Sequence, residues 1–458
     1  MKPRAVFAIV STGVVLATLD QFVVNVAFES IGRSLHGGLS TLSWVLNAYS
    51  IIFAALLVPA GRFADRRGRR FGFLLGVAVF TVSSAACAAA GSLGELIAAR
   101  SVQAAGAALL VPSSLGLLLA AYPPERRAAA VRSWGAVTGA SAALGPVIGG
   151  LLVAASWRWI FLVNLPIGVG ALVAGRRFLP VVERERGPLP DLRGAAFLAA
   201  GIGAVSLALV KAHEWGWSSG WTLASLAAAA ASVVLFLRRS ARHPSPVVEP
   251  ALLRVRGFSL AAAATTIYSA AFAAMLLSIT LWAETGWGWS ALRFGLLFAL
   301  GPLMVPLVAT RSGPLIARIG AGRTAALGCV VFALGLSLWL ALVGEAPRWR
   351  DMLPGQLLTG IGVGLTLPTL IAAGSASLPP ARFATGSGVL SMARQIGFTL
   401  GVALFVAVVG SRASLAAFRD AWIAAAAVAA SAAVVAAALQ RPARGTAALD
   451  LEAAERAA

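Results

Sequence analysis

The chain has 458 residues, 59% of them hydrophobic and 12% charged, about half the charge of an ordinary soluble domain. Its formal net charge of +20 comes from 37 Lys and Arg against 17 Asp and Glu, but the basic residues gather in short stretches between apolar runs, a topological signal that argues against nucleic-acid binding. No polar stretch is long enough to enclose its own core, and without a GxxxxGK[ST] phosphate loop direct ATP drive finds no support.

The apolar runs fall at 6–28, 44–62, 71–91, 95–119, 132–154, 158–176, 192–210, 221–237, 258–282, 291–310, 322–343, 352–373, 386–409 and 421–439. Each is roughly 17–25 residues, enough to cross a bilayer as a helix, and in lipid such a run satisfies its backbone only as a helix. The fold class read from this is an all-α integral membrane protein of fourteen helices. The first run is too long for an ordinary signal peptide and is read as a retained helix. Basic stretches recur at alternate loops, at 62–70, 126–132, 176–193, 238–256, 311–323 and 382. Positive residues mark the cytoplasmic side, so an even number of spans with both termini cytoplasmic is expected. The basic loops also suit contact with anionic lipid.

Within the first run stands Asp20, in Leu19-Asp20-Gln21-Phe22-Val23-Val24-Asn25. A charge at the centre of a span costs about 3 kcal/mol or more, so this carboxyl must face the bundle interior, face water or hold a proton. Two readings are open: a proton-carrying group, or a structural carboxylate networked with Asn25. The stretch Gly61-Arg-Phe-Ala-Asp65-Arg66-Arg-Gly68-Arg69-Arg70 reads as a loop between the second and third helices. Asp65 is its only acid, placed to cap the third helix or to pair with Arg66 or Arg69, and such a latch would bias a two-state equilibrium.

Near the start of the fourth run, Arg100 and Gln103 share a helix face one turn apart. Arg100 stays charged, and charge logic pairs it with Asp20 unless it snorkels to the helix end. The fifth run carries Gly135, Gly139, Gly145-Pro146 and Gly149-Gly150, where small residues allow close helix approach and proline bends the axis. Polar, proline-bearing connectors at 177–191 and 238–257 bracket a helix pair at 192–237.

The flanking segments resemble one another. Gly61-x-Phe-Ala-Asp65-Arg66-x-Gly68 pairs with Gly313-x-Leu-Ile-Ala317-Arg318-x-Gly320 at an offset of 252, and Pro123-Pro-Glu-Arg126 pairs with Pro379-Pro-Ala-Arg382 at 256. Arg394-Gln395 in the second half echoes Arg100 and Gln103. The domain reading is a six-helix bundle at 1–178, an inserted two-helix segment at 179–240, a second bundle at 241–440 and a cytoplasmic tail at 441–458. Repeated halves are an architecture of alternating access. Trp157, Trp159, Trp215, Trp217, Trp221, Trp287 and Trp289 read as an interfacial belt. Cys87 and Cys329, and the three histidines read as loop residues (His36, His213 and His243), form no metal or disulfide pattern.

Taken in order, these segments resemble the major facilitator superfamily, in its fourteen-helix drug:proton antiporter branch. Gly61–Arg70 is similar to the family's motif A, Arg100–Gly106 to motif B and Ala143–Gly150 to the antiporter motif C. Leu19–Ala27, Ser156–Gly168 and Arg254–Phe258 resemble motifs of that branch, with Phe22 where threonine is usual. The resemblance implies two six-helix bundles with two inserted helices, in a bacterial cytoplasmic membrane. It implies a monomer, no cofactor, and drive by the proton gradient, with protons and a small amphipathic drug or antibiotic as ligands. Asp20, Arg100, Gln103 and Asn25 would serve proton coupling. Gly61, Asp65, Arg66, Gly68, Arg69 and Arg318 would serve gating, and Gly145, Pro146, Gly149 and Gly150 the exporter-type helix seam. The alternative is a metabolite importer or facilitator of the same fold.

Overall fold

The computed structural model describes residues 3–181, 184, 188–379, 382–410 and 414–439. Fourteen helices there are long and apolar enough to cross a membrane: α1 (Pro3–Val26), α2 (Leu39–Arg67), α3 (Arg69–Ala89), α4 (Leu93–Ala121), α5 (Glu125–Ala155), α6 (Trp159–Phe178), α7 (Leu192–Trp215), α8 (Gly220–Arg242), α9 (Arg256–Gly286), α10 (Ala291–Arg311), α11 (Ala321–Leu342), α12 (Trp349–Ala376), α13 (Thr385–Val409) and α14 (Leu415–Ala437). Among the described residues there is no strand. Each predicted run has its helix, with the ends displaced by several residues. The tail at 441–458, and Pro380 and Ala381 of the repeated loop, lie outside the described residues.

The basic stretch at 61–70 departs from its reading as a loop. Helix α2 continues through Arg67 and α3 begins at Arg69, leaving Gly68 alone between them. Its φ of +103° is a conformation that only glycine adopts without strain. The second half repeats the device: a short helix, Gly313–Ile319, ends at Gly320 with φ +90°, and α11 starts at Ala321. Arginine is a good helix former, so a run of arginines extends a helix beyond the hydrocarbon until a glycine stops it.

The chain divides into two compact units, residues 1–196 with 289–299, and residues 197–288 with 300–458. The first unit holds α1–α6, the first turn of α7 and the first half of α10. Its α3 and α4 meet at a pair of glycines: a side chain at Gly76 would stand 2.9 Å from the Gly106 carbonyl oxygen, and one at Gly106 would stand 2.7 Å from the Phe80 amide nitrogen. In the second unit α11 and α12 meet in the same way. There Gly328 faces the Gly362 carbonyl at 2.9 Å, and Gly362 faces the Phe332 amide nitrogen at 2.8 Å. Gly76 and Phe80 precede Gly328 and Phe332 by the 252 residues seen in the loops, and Gly106 precedes Gly362 by 256. The duplication therefore runs through the helix interiors.

Apolar packing fills both units. Val6, Val10, Phe73, Val77, Leu110 and Leu117 of α1, α3 and α4 form one core cluster in the first. In the second, buried Trp339 and Trp422 stand 6.0 Å apart between ring centroids. Their indole nitrogens donate to the Met352 carbonyl at 2.8 Å and the Ser278 hydroxyl at 3.1 Å.

The predicted tryptophan belt divides. Trp159, Trp217 and Trp221 are exposed, whereas Trp157, Trp287 and Trp289 are buried. Trp287 donates to the Gly344 carbonyl at 2.8 Å and thereby holds a loop. His213, read as a loop residue, lies in the last turn of α7.

Candidate functional site

Arg100 owes its depth to the cap of its helix. Ser92 accepts a hydrogen bond from the Glu95 amide at 3.2 Å, and the Glu95 carboxylate accepts one from the Gly91 amide at 2.8 Å, so α4 starts at Leu93. Arg100 is then two turns inside the helix and 1% exposed. Snorkelling to the helix end does not occur.

Its guanidinium meets Asp20 of α1, also 1% exposed. Nη1 of Arg100 donates to Asp20 Oδ2 and, at 2.6 Å, to Gln103 Oε1. Nε2 of Gln103 donates to Asp20 Oδ1 at 3.0 Å and to the Ser84 hydroxyl of α3 at 2.7 Å. Asn164 of α6 completes the cluster, its Nδ2 standing 3.4 Å from Asp20 Oδ1 and 3.3 Å from Ser84 Oγ. The guanidinium carbon lies 4.1 Å from the centroid of the Tyr49 ring, and Nε donates to the Val45 carbonyl at 3.4 Å. Helices α1, α4 and α6 meet at one carboxylate, α3 joins them through Ser84, and α2 supplies the aromatic face. Every polar neighbour bonded to Asp20 is a donor, and both carboxyl oxygens accept.

Sequence reasoning placed three of these residues, Asp20, Arg100 and Gln103, and the structure brings them together. Asn25 lies elsewhere: its amide nitrogen donates to the Gln21 carbonyl of its own helix at 2.8 Å, and its Oδ1 has no partner. Asn164 takes the place given to Asn25. In the sequence Asn164 stands out only as part of the resembling stretch Ser156–Gly168, and neither Ser84 nor Tyr49 carries a signal of its own. Asn164 Oδ1 is buried and, among the described residues, has no hydrogen-bond partner. Cys87 Sγ lies 3.9 Å from Gln103 Oε1, at the edge of the cluster.

At the other end of α2, Asp65 pairs with Arg69 at 2.7 Å across the Gly68 break. Arg69 also donates to the Gly116 carbonyl of α4 at 3.4 Å. Asp65 therefore pairs and does not cap: α3 has no side-chain cap. Gly61 packs against Pro112, with 3.4 Å between a built side-chain carbon and the proline ring. Arg66 lies in the last turn of α2, and Arg318 is exposed on the short helix Gly313–Ile319. An ion pair that the sequence did not disclose joins Arg382, before α13, to Glu249, before α9, at 3.0 Å. The Asp65–Arg69 pair is 25–32% exposed at its side chains, so it contributes at most about 1 kcal/mol of stability. Asp65→Asn is expected to leave thermal stability nearly unchanged while slowing transport. Wild-type transport by that variant in vesicles would argue against a gating role for Asp65.

The glycines of α5 face two ways. A side chain at Gly145 would meet Phe22 of α1 at 2.5 Å, and one at Gly149 would meet Val23 and Val26 at 3.2 and 3.3 Å. Gly150 faces α10, 2.5 Å from the Ala291 carbonyl oxygen and 2.7 Å from the Leu292 α-carbon, and the Pro146 carbonyl lies against Gly295. Gly135 and Gly139, by contrast, have nothing within 4 Å. An apolar groove of about 390 Å³, lined by Val79, Val82, Ala86 and Val102 of α3 and α4, contains no titratable group and takes no part in this chemistry.

Comparison with known proteins agrees with this architecture. The family model described as Major Facilitator Superfamily matches residues 10–311. The chain is 32% identical to the probable actinorhodin transporter of Streptomyces coelicolor over 87% of this chain and 72% of that protein. It is 33% identical to the tetracenomycin C resistance and export protein of Streptomyces glaucescens over 92% and 78% respectively. Among solved structures, a peptide transporter POT in complex with sulfate superposes with a TM-score of 0.70 at 17% identity, covering 95% of this chain and 94% of that one, a likeness of fold. With fourteen membrane-length helices, a duplicated helix seam in its two units and a family match over most of its length, the chain belongs to the major facilitator superfamily.

Proposed function

We propose that this protein is a proton-driven exporter of small amphipathic compounds that works by alternating access in a bacterial cytoplasmic membrane. The observation that carries the reading is the buried Asp20–Arg100 pair with its donors Gln103 and Asn164. Outward direction is supported by the relatives, one of which is an export protein.

The chemistry follows from the donor set. A proton arriving on Asp20 removes the attraction to Arg100 and turns one carboxyl oxygen into a donor that needs an acceptor. The idle Oδ1 of Asn164 meets that need if the amide turns over, since the same side chain already reaches Asp20 through Nδ2. Arg100 keeps Gln103 Oε1, the Val45 carbonyl and the Tyr49 face as partners. Protonation thus loosens α1 from α4 and leaves Arg100 on neutral partners alone, a cost that biases the protein away from this conformation. Loss of the proton restores the tie. Coupling requires that proton and cargo bind the two conformations unequally, and the tie between α1 and α4 is the element that the proton biases. Asp65, Arg69 and their neighbours then act on access at the other end of α2.

The test is transport in proteoliposomes under an imposed pH gradient, comparing the wild type with Asp20→Asn and Arg100→Ala. Gradient-driven movement should persist only in the wild type, with at least a hundredfold loss of coupled flux in Asp20→Asn, the scale of removing an essential proton-transfer group. Wild-type coupled flux in both variants would end the assignment of the coupling site. Accumulation of the cargo, instead of extrusion, would make the protein an importer.

A further inference from the structure

The second unit contains a cation that none of its described residues neutralises. Arg394 lies about 14 Å along α13 from Thr385 at 1.5 Å per residue. It is half-buried, and among the described residues it has neither an ion-pair nor a hydrogen-bond partner. Every described acid of this unit, Glu214, Glu249, Glu284, Glu345, Asp351 and Asp420, lies in a loop or within two turns of a helix end. A guanidinium in this setting is retained only where it meets a counter-charge or water, because lipid makes it costly.

Arg394 shares a helix stripe with Gly397 and Gly401, one and two turns on, and these press against α9. A side chain at Gly397 would press on the Thr266 carbonyl oxygen and stand 2.9 Å from Ser269 Cβ, and one at Gly401 would press on the Ala270 carbonyl. Contacts advance together along both helices, with Gly386 near Phe258 at 3.3 Å before them, so α9 and α13 run parallel here. One turn back from Gly397 is Arg394 on α13, and one turn back from Ser269 is Thr265 on α9, beside the line that Thr266 and Ala270 hold against the glycines. Ser269 Oγ and Thr265 Oγ1 are both buried and, among the described residues, without hydrogen-bond partners. A lone cation and two idle hydroxyl donors on facing stripes constitute a receptor for an anion.

We propose that Arg394, with Ser269 and Thr265, receives the acidic group of the cargo, so that the compounds carried are amphipathic organic acids. This deepens the exporter reading and rests on it. The carboxylate would take the guanidinium as counter-ion and the hydroxyls as added donors, while the apolar body of the cargo lies along the helices.

The experiment compares binding of 2-naphthoate and its neutral methyl ester to the purified full-length protein by equilibrium dialysis. The acid should bind at least about tenfold more tightly than the ester, the range of a charge-assisted hydrogen bond. Arg394→Gln should abolish that preference, Arg394→Lys should keep part of it, and Ser269→Ala should weaken the acid alone, by about threefold. Equal binding of acid and ester by the wild type, or an unchanged preference in a folded Arg394→Gln protein, would overturn the proposal. Should that variant fail to fold, an acid preference unaltered in both Arg394→Lys and Ser269→Ala has the same force. Gradient-driven export of the ester by Arg394→Gln, with no acid preference in the wild type, sinks the acid site and leaves the exporter. An Arg394-dependent acid preference in a protein that moves nothing under a gradient does the reverse.

Discussion

Asp20→Asn is expected to destabilise the protein by about 3–5 kcal/mol, the cost of leaving one charge of a buried pair uncompensated. The variant strands a guanidinium that is 1% exposed and cannot lose its proton. Arg100→Gln should cost less: the carboxylate keeps its donors from Gln103 and Asn164, and it has the option of taking up a proton. Combining the two changes removes both charges and should recover most of the loss, giving a large favourable coupling in the double-mutant cycle. Thermal unfolding of the purified variants reads the order directly, with Asp20→Asn lowest and the double variant well above it. Small, additive effects in both single variants would mean that the pair is not the tie between α1 and α4 described here.

Hydrocarbon is what made this part of the site legible. In a span where nearly every side chain is apolar, one carboxyl and one guanidinium stand out, and charge balance alone pairs them. Asn164, Ser84 and Tyr49 carry no charge, and neutral polar residues occur along many of these helices, so only their convergence on Asp20 distinguishes them. The same limit explains Asn25, which is five residues from Asp20 in sequence but turns its amide to its own backbone. The fold was legible for a related reason: helix length and loop charge follow from the bilayer. Helix ends were not, because the arginines of 62–67 continue α2 past the apolar run and only Gly68 ends it. In a chain with 48 glycines, the pairs Gly76–Gly106 and Gly328–Gly362 are inconspicuous until their backbones are seen in contact. Arg382 was read as a marker of the repeat, and its partner Glu249, 133 residues away, follows from no local pattern.

Gly150→Val is the second change with a large expected effect, and the two-faced packing of α5 is the reason. Gly145 and Gly149 seat α5 on Phe22 and Val23 of α1, while Gly150 and Pro146 seat it on α10 with backbone closer than a side chain allows. A valine at 150 must displace Ala291 and Leu292, whose nearest atoms to the added carbon are backbone and do not move like the tip of a flexible side chain. Overpacking of this kind costs about 1–3 kcal/mol. If alternating access separates α5 from α10, that cost falls on the conformation described here and shifts the equilibrium by about 5–150-fold toward the other. A cysteine placed at Ala291 should then react faster with a maleimide in the Gly150→Val background, and coupled transport should fall at least tenfold because one state is over-populated. Gly139→Val, on the same helix with nothing within 4 Å, supplies the control and should change neither. Equal labelling in the two backgrounds would show that α5 and α10 stay together through the cycle, and the seam would then be packing alone.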